Sequence, residues 1–98
     1  MLESKFQSGL IKKLEERFPG SVIMKNDANY RQGFPDLLIL FRHHWAALEC
    51  KANIFAPYQP NQEYWVDTLD GMSYAAFICP ENEEAILDEL QQAFGTRR

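Results

Sequence analysis

Two short apolar runs separated by three polar residues restrict the folds open to this chain more than any other feature. Leu37-Leu38-Ile39-Leu40-Phe41 and Trp45-Ala46-Ala47-Leu48 flank Arg42-His43-His44. Runs of this length without polar alternation suit strands covered on both faces. Paired across a turn centred on His43-His44, they form a hairpin whose two sides both need helices. An α/β mixed sheet flanked by helices is therefore expected.

Charges stand at the open end of this hairpin. Pro35-Asp36 precedes the first run, and Glu49-Cys50-Lys51 follows the second. Pro35 fixes φ and has no N–H to donate, so it suits the first residue of a strand. The pleat sends Glu49 and Lys51 to one face and Cys50 to the other. With the turn at His43-His44, Asp36 lies almost opposite Lys51 and diagonal to Glu49. Two carboxylates this close repel unless a cation lies between them, and oxygen ligands suit Mg²⁺ or Mn²⁺. A lysine beside them can orient or deprotonate an attacking water, or steady the charge of a phosphate. The bland alternative is a turn aspartate beside an exposed Glu/Lys strand face. Asp followed at variable distance by Glu-x-Lys arises often by chance, but charges ending an apolar sheet need a reason, and a metal site gives one.

The rest of the chain supplies the helices. Leu2, Phe6, Leu10, Ile11, Leu14 and Phe18 recur at helical spacing until Pro19-Gly20. Residues 21–25 read as a strand, followed by a polar loop over residues 26–32. Pro60 suits the first turn of a second helix running to about Asp70, with Gly71 as its stop. Residues 73–79 return as a buried strand, and Asn82 can cap a last helix whose core face is Ile86, Leu87, Leu90 and Phe94. The order is α-β-β-β-α-β-α. The second helix acts as a crossover, so the Glu49 strand and the last strand are expected to be parallel and adjacent or nearly so.

These residues resemble the PD-(D/E)XK nuclease superfamily. Gly33-Phe34-Pro35-Asp36-Leu37-Leu38, Leu48-Glu49-Cys50-Lys51 and Gln62-x-x-Trp65-x-x-x-Leu69 are similar to small stand-alone virus-type replication-repair (VRR-NUC) nucleases, over about residues 3–78. Archaeal Holliday-junction resolvases share the layout more distantly. The resemblance implies a restriction-endonuclease-like fold over a single domain, residues 1–98. It implies a Mg²⁺-dependent DNA endonuclease, with Mn²⁺ able to substitute, that leaves 5′-phosphate ends without a covalent intermediate. Asp36, Glu49 and the Cys50 carbonyl would bind the metal, Glu3 would assist, Lys51 would activate the nucleophile and Gln62 would support the site. Cys50 departs from the family pattern, where the position is usually apolar and β-branched. Without the resemblance, Glu3 is a favourable carboxylate at a helix N-terminus and Gln62 a partly exposed first-turn residue. Trp65 reads as core rather than as a platform for bases.

The small size and the resemblance suggest a phage or mobile-element enzyme acting on branched or nicked DNA. A Holliday-junction resolvase, or a non-catalytic DNA-binding or assembly module of the same fold, are the alternatives. The formal net charge of −4 opposes generic nucleic-acid binding. It is uneven, however, because residues 1–51 hold eight Lys/Arg against six Asp/Glu and residues 52–98 two against eight. Tyr30 and Arg31, in the loop leading to the site, are candidate DNA contacts. Lys5, Lys12, Lys13 and Arg17 form either a phosphate-contacting or a solvated face of the first helix, solvated being preferred for Lys12 and Lys13. His43 and His44 are expected at an exposed turn far from Asp36.

Cys50 and Cys79 lack metal-site spacing and read as buried thiols. No bilayer-length apolar stretch is present and the N-terminal residues lack a secretory segment, which suggests the cytoplasm (the host's, if phage-encoded) and no membrane partner. A homodimer is expected, because cutting both strands of a branched DNA needs two sites. The segment Asn53-Ile54-Phe55-Ala56-Pro57-Tyr58 is the candidate interface.

Overall fold

A computed structural model describes residues 2–27 and 29–95. Met1, Ala28 of the polar loop and residues 96–98 lie outside the described residues. The elements are α1 (Glu3–Arg17), β1 (Val22–Lys25), β2 (Leu37–Phe41), β3 (His44–Cys50), α2 (Gln62–Met72), β4 (Tyr74–Ile78) and α3 (Glu83–Phe94). The chain is α/β, with the expected element order and a sheet in the order β1-β2-β3-β4. β1, β2 and β3 pair antiparallel, while β3 and β4 run parallel, joined by the α2 crossover. The Cα radius of gyration of 12.6 Å agrees with the ~13 Å of a close-packed chain of this size.

The pleat divides the sheet into two unequal halves. Leu37, Ile39 and Phe41 of β2, with Ala46, Leu48 and Cys50 of β3, face α1 and α3 in the main core. Phe6, Leu10, Leu14 and Phe18 meet them from the N-terminal side, and Leu87, Leu90 and Phe94 from α3. Phe18 lies 5.5 Å from Phe41 and 5.2 Å from Phe94, ring to ring. Each fully buried side chain of this size contributes roughly 1.5–3 kcal/mol. On the opposite face α2 packs Val66 and Leu69 on Ala47 and Ala75, forming a smaller cluster. Small alanines let the helix approach, and beyond them the same β3 face carries Glu49 and Lys51.

Several sequence-based expectations are corrected. The hairpin register pairs Phe41 with His44 and Leu37 with Leu48, so the turn is Arg42-His43, with Arg42 at φ +57°. Such backbone is uncommon for arginine, and no glycine marks it in the sequence. One further step of this register sets Asp36 across from Glu49, not Lys51. Pro60 precedes α2 instead of entering its first turn, and Gly71 lies within the helix, which ends where the Ser73 N–H donates to the Leu69 carbonyl. Asn82 occupies the N-cap position of α3 without capping it. Its side chain accepts from the Cys79 N–H at 2.8 Å and donates to the Phe77 carbonyl at 3.2 Å instead. Leu2 is exposed, and β1 starts at Val22. No helix among the described residues is long and apolar enough to cross a membrane.

Candidate metal centre and active site

Asp36 is fixed by its backbone and its side chain together. The Asn26 N–H donates to the Asp36 carbonyl and Asn26 Nδ2 to the Pro35 carbonyl, both at 2.8 Å. The Cys50 N–H donates to Asp36 Oδ2 at 2.9 Å, continuing the strand pairing one residue beyond the β2 backbone. Gly33, at φ +83°, turns the chain into this segment against α2. A Cβ there would stand 2.7 Å from the Asn61 backbone and side chain and from the Pro60 carbonyl.

Glu49 is 2% exposed and Glu3 projects from the first turn of α1. One carboxylate oxygen from each of Glu3, Asp36 and Glu49 lies within 4.8 Å of the others. Burial, followed by the Asp36 carboxylate, raises the Glu49 pKa from 4.5 to about 9, with Glu3 adding to the rise and Lys51 opposing it. Glu3 is also raised, first by burial and then by Asp36. Glu49 Oε1 is buried without a hydrogen-bond partner. A neutral Glu49 meets that lack by donating to Asp36, and an ionised one needs a cation.

Lys51 and Gln62 complete the arrangement. Lys51 is 6% exposed and Gln62 8%, so Gln62 is not the partly exposed first-turn residue of the bland reading. Lys51 Nζ donates to Gln62 Oε1 at 2.6 Å and to the Pro57 carbonyl at 3.0 Å. Gln62 Nε2 donates to Glu49 Oε2 at 2.9 Å, and its Oε1 also accepts the Gln59 N–H at 2.8 Å. The glutamine thus bridges the carboxylate and the amine, which share a strand face but do not pair directly. An ammonium has three donors, so one remains available. Tyr58 stacks on Phe77 at 4.1 Å and lies 5.8 Å from Lys51 Nζ.

An all-oxygen donor set with a buried, unpartnered carboxylate oxygen fits a hard divalent cation. Glu3, Asp36 and Glu49 are the residues that would hold it. The Cys50 side chain is not among them: it lies in the main core, where burial pushes its thiol pKa up. Its carbonyl shares the strand edge of its N–H, toward Asp36.

The other candidates scatter. Tyr30 is exposed, and the Arg31 guanidinium lies 5.8 Å from its ring and 5.3 Å from that of half-buried Trp65. Lys5 lines a separate 250 Å³ cavity with Phe6, Gly9, Leu10, Lys13, Pro80 and Glu83. Lys13 pairs with Glu83 and Arg17 with Asp88, so both tie α1 to α3. His44 stacks on Phe94, away from the carboxylates. Ile54, Phe55 and Tyr58 are exposed, Phe55 by 90%. Sequence reasoning missed Asn26, Pro57 and Gln59, which act through backbone bonds or short-range tethers. Of the three, only Gln59 carries a sequence signal, its position next to Pro60. Compared with family models, with curated proteins and with solved structures, the chain matches none.

Proposed function

We propose that this chain is a Mg²⁺- or Mn²⁺-dependent endonuclease that hydrolyses DNA phosphodiesters, acting on branched, nicked or otherwise structured substrates. The observation that carries the reading is the convergence of Glu3, Asp36 and Glu49 within 4.8 Å, beside a lysine held by Gln62. A buried Glu49 with two further carboxylates within 4.8 Å is costly at the end of an apolar sheet unless the cluster serves a cation. The PD-(D/E)XK resemblance and the restriction-endonuclease-like layout that it implies point the same way.

A divalent cation supplies Lewis acidity toward a phosphate oxygen and toward water. The chain's residues do the rest. Asp36, Glu49 and the Cys50 carbonyl would hold the cation, with Glu3 closing the set from α1. Lys51 directs its remaining N–H at the attacking water or the phosphate, and Gln62 fixes its direction. Water adds to phosphorus as the bond to the 3′ oxygen breaks; the proton the water loses passes through solvent to the departing 3′ oxygen, and a 5′-phosphate end results. Tyr30 and Arg31, and Lys5 more remotely, contact the DNA. A homodimer using residues 53–58 would supply a second site, and the reducing cytoplasm suits the two free thiols.

Incubation with Mg²⁺ or Mn²⁺ and a panel of linear, flap, nicked and four-way DNAs tests the reading. Wild type is expected to cut at least one structured substrate. Asp36→Ala should lose metal binding and about 10²-fold or more in rate, while Lys51→Ala loses the rate but keeps the metal. Symmetric paired nicks in the four-way DNA alone would identify a resolvase. Metal-independent binding without cleavage of any substrate would make the chain a binding or assembly module.

A further inference from the structure

A cavity beside the Asp36 segment has no part in the chemistry proposed above. It encloses about 370 Å³ and is lined by Asn26, Asp27, Tyr30, Arg31, Phe34 and Leu38, within the roughly 300–1,000 Å³ of small-ligand sites. Its walls are largely flat and apolar. Tyr30 is 82% exposed, and Phe34 is braced by Trp65, edge to face at 5.2 Å. The Arg31 guanidinium, between Tyr30 and Trp65, adds a cation at the rim. Asp27 adds a carboxylate, one oxygen of which accepts the Asn29 N–H at 2.8 Å. Asn26, in the wall, is the residue that hydrogen-bonds both Pro35 and Asp36. Leu38 follows Asp36 by two residues and shares its sheet face. The cavity and the candidate metal centre are therefore built on one short segment.

The lining selects its occupant. The exposed Asp27 carboxylate in the lining opposes an anion, so a phosphate group is disfavoured in the cavity. Aromatic walls, an acceptor that wants N–H donors and a guanidinium at the mouth suit a planar neutral heterocycle attached to an anionic backbone. We propose that this cavity receives one unpaired nucleobase of the DNA strand whose neighbouring phosphodiester lies at Glu3, Asp36 and Glu49. The proposal rests on the nuclease reading for the identity of the strand, and it narrows the substrate to DNA with a nucleotide outside the duplex stack next to the cut. A paired base would have to leave its stack first, at a cost of a few kcal/mol.

Binding is measured in EDTA, so that no cleavage intervenes, with DNA hairpins carrying 2-aminopurine either in a one-base bulge or paired in the stem. Wild type should bind the bulged hairpin at least about tenfold more tightly and change its 2-aminopurine fluorescence. Tyr30→Ala should reduce that preference about tenfold, the loss of one base–aromatic stack. Asp27→Asn, which still accepts the Asn29 N–H, should reduce it as well. Equal affinity for the two hairpins, or an unchanged preference in both variants, overturns the pocket. A concentration-dependent dimer lost in Tyr30→Ala would assign the cavity to a second copy, and also overturns it. Wild type that binds the bulge as expected but cleaves it with neither Mg²⁺ nor Mn²⁺ upholds the pocket and overturns the nuclease reading. Cleavage without preference for an unpaired base does the reverse.

Discussion

Glu49 should make the metal-free protein less stable as pH rises, and Glu49→Gln should remove that slope. With its pKa raised from 4.5 to about 9 in the folded chain, Glu49 keeps a proton on folding that the unfolded chain has released. The folded state therefore holds one more proton across that window. Its stabilising contribution is fully present below pH ~4.5 and is lost as pH climbs toward ~9. One proton corresponds to about 1.4 kcal/mol per pH unit, or roughly 6–11 °C in Tm per unit for a domain of this size. Glu49→Gln can still accept from Gln62 but cannot ionise. Differential scanning calorimetry in EDTA from pH 5 to 8.5 should give a difference in slope of about this size between the two proteins, a comparison that removes contributions common to both. Saturating Mg²⁺ or Mn²⁺ should flatten the wild-type curve, because binding displaces the proton, and titration in two buffers of different ionisation enthalpy should detect its release. Parallel slopes for wild type and Glu49→Gln would refute the argument, as would metal binding without proton release.

Gln62→Ala strands the Glu49 carboxylate, the Lys51 ammonium and the Gln59 N–H at once, so urea unfolding should show a loss of about 3 kcal/mol, and single-turnover cleavage at saturating metal a drop of about 10–100-fold. A loss below about 1 kcal/mol would mean that the bridge is idle. Gly33→Ala adds a Cβ that would stand 2.7 Å from Pro60 and Asn61 atoms at a φ of +83°, and should cost more than about 2 kcal/mol by the same measurement. Near-neutral behaviour would show that the α2 entrance can move aside.

Periodicity carried much of the fold. The stripe Phe6, Leu10, Leu14 and the face Leu87, Leu90, Phe94 both became main-core packing, because a helix that covers a sheet must repeat its apolar residues every three or four positions. The crossover logic likewise gave the parallel β3–β4 pair. The hairpin register was not legible, since Arg42-His43 bears no turn signature, yet Arg42 takes φ +57°. For the site, alternation placed Glu49 and Lys51 on one face and the helical stripe turned Gln62 inward. The bridge between them could not be read, because it depends on how deeply α2 settles on Ala47 and Ala75. Tethers such as the Asn26 N–H to the Asp36 carbonyl leave no sequence signature, as they join backbone groups that nearly every residue possesses.

The bridge that Gln62 makes between Glu49 and Lys51 also governs how this site can change over evolutionary time. A substitution at any one of the three leaves the other two with unmet polar groups, so their effects are expected to be strongly non-additive. Replacements would have to arrive together or through an intermediate of reduced fitness. Glu3, by contrast, is exposed on the first turn of α1 and hydrogen-bonded to none of the three. A lineage could exchange that carboxylate, and with it the preference for one divalent cation over another, while the buried trio stayed locked.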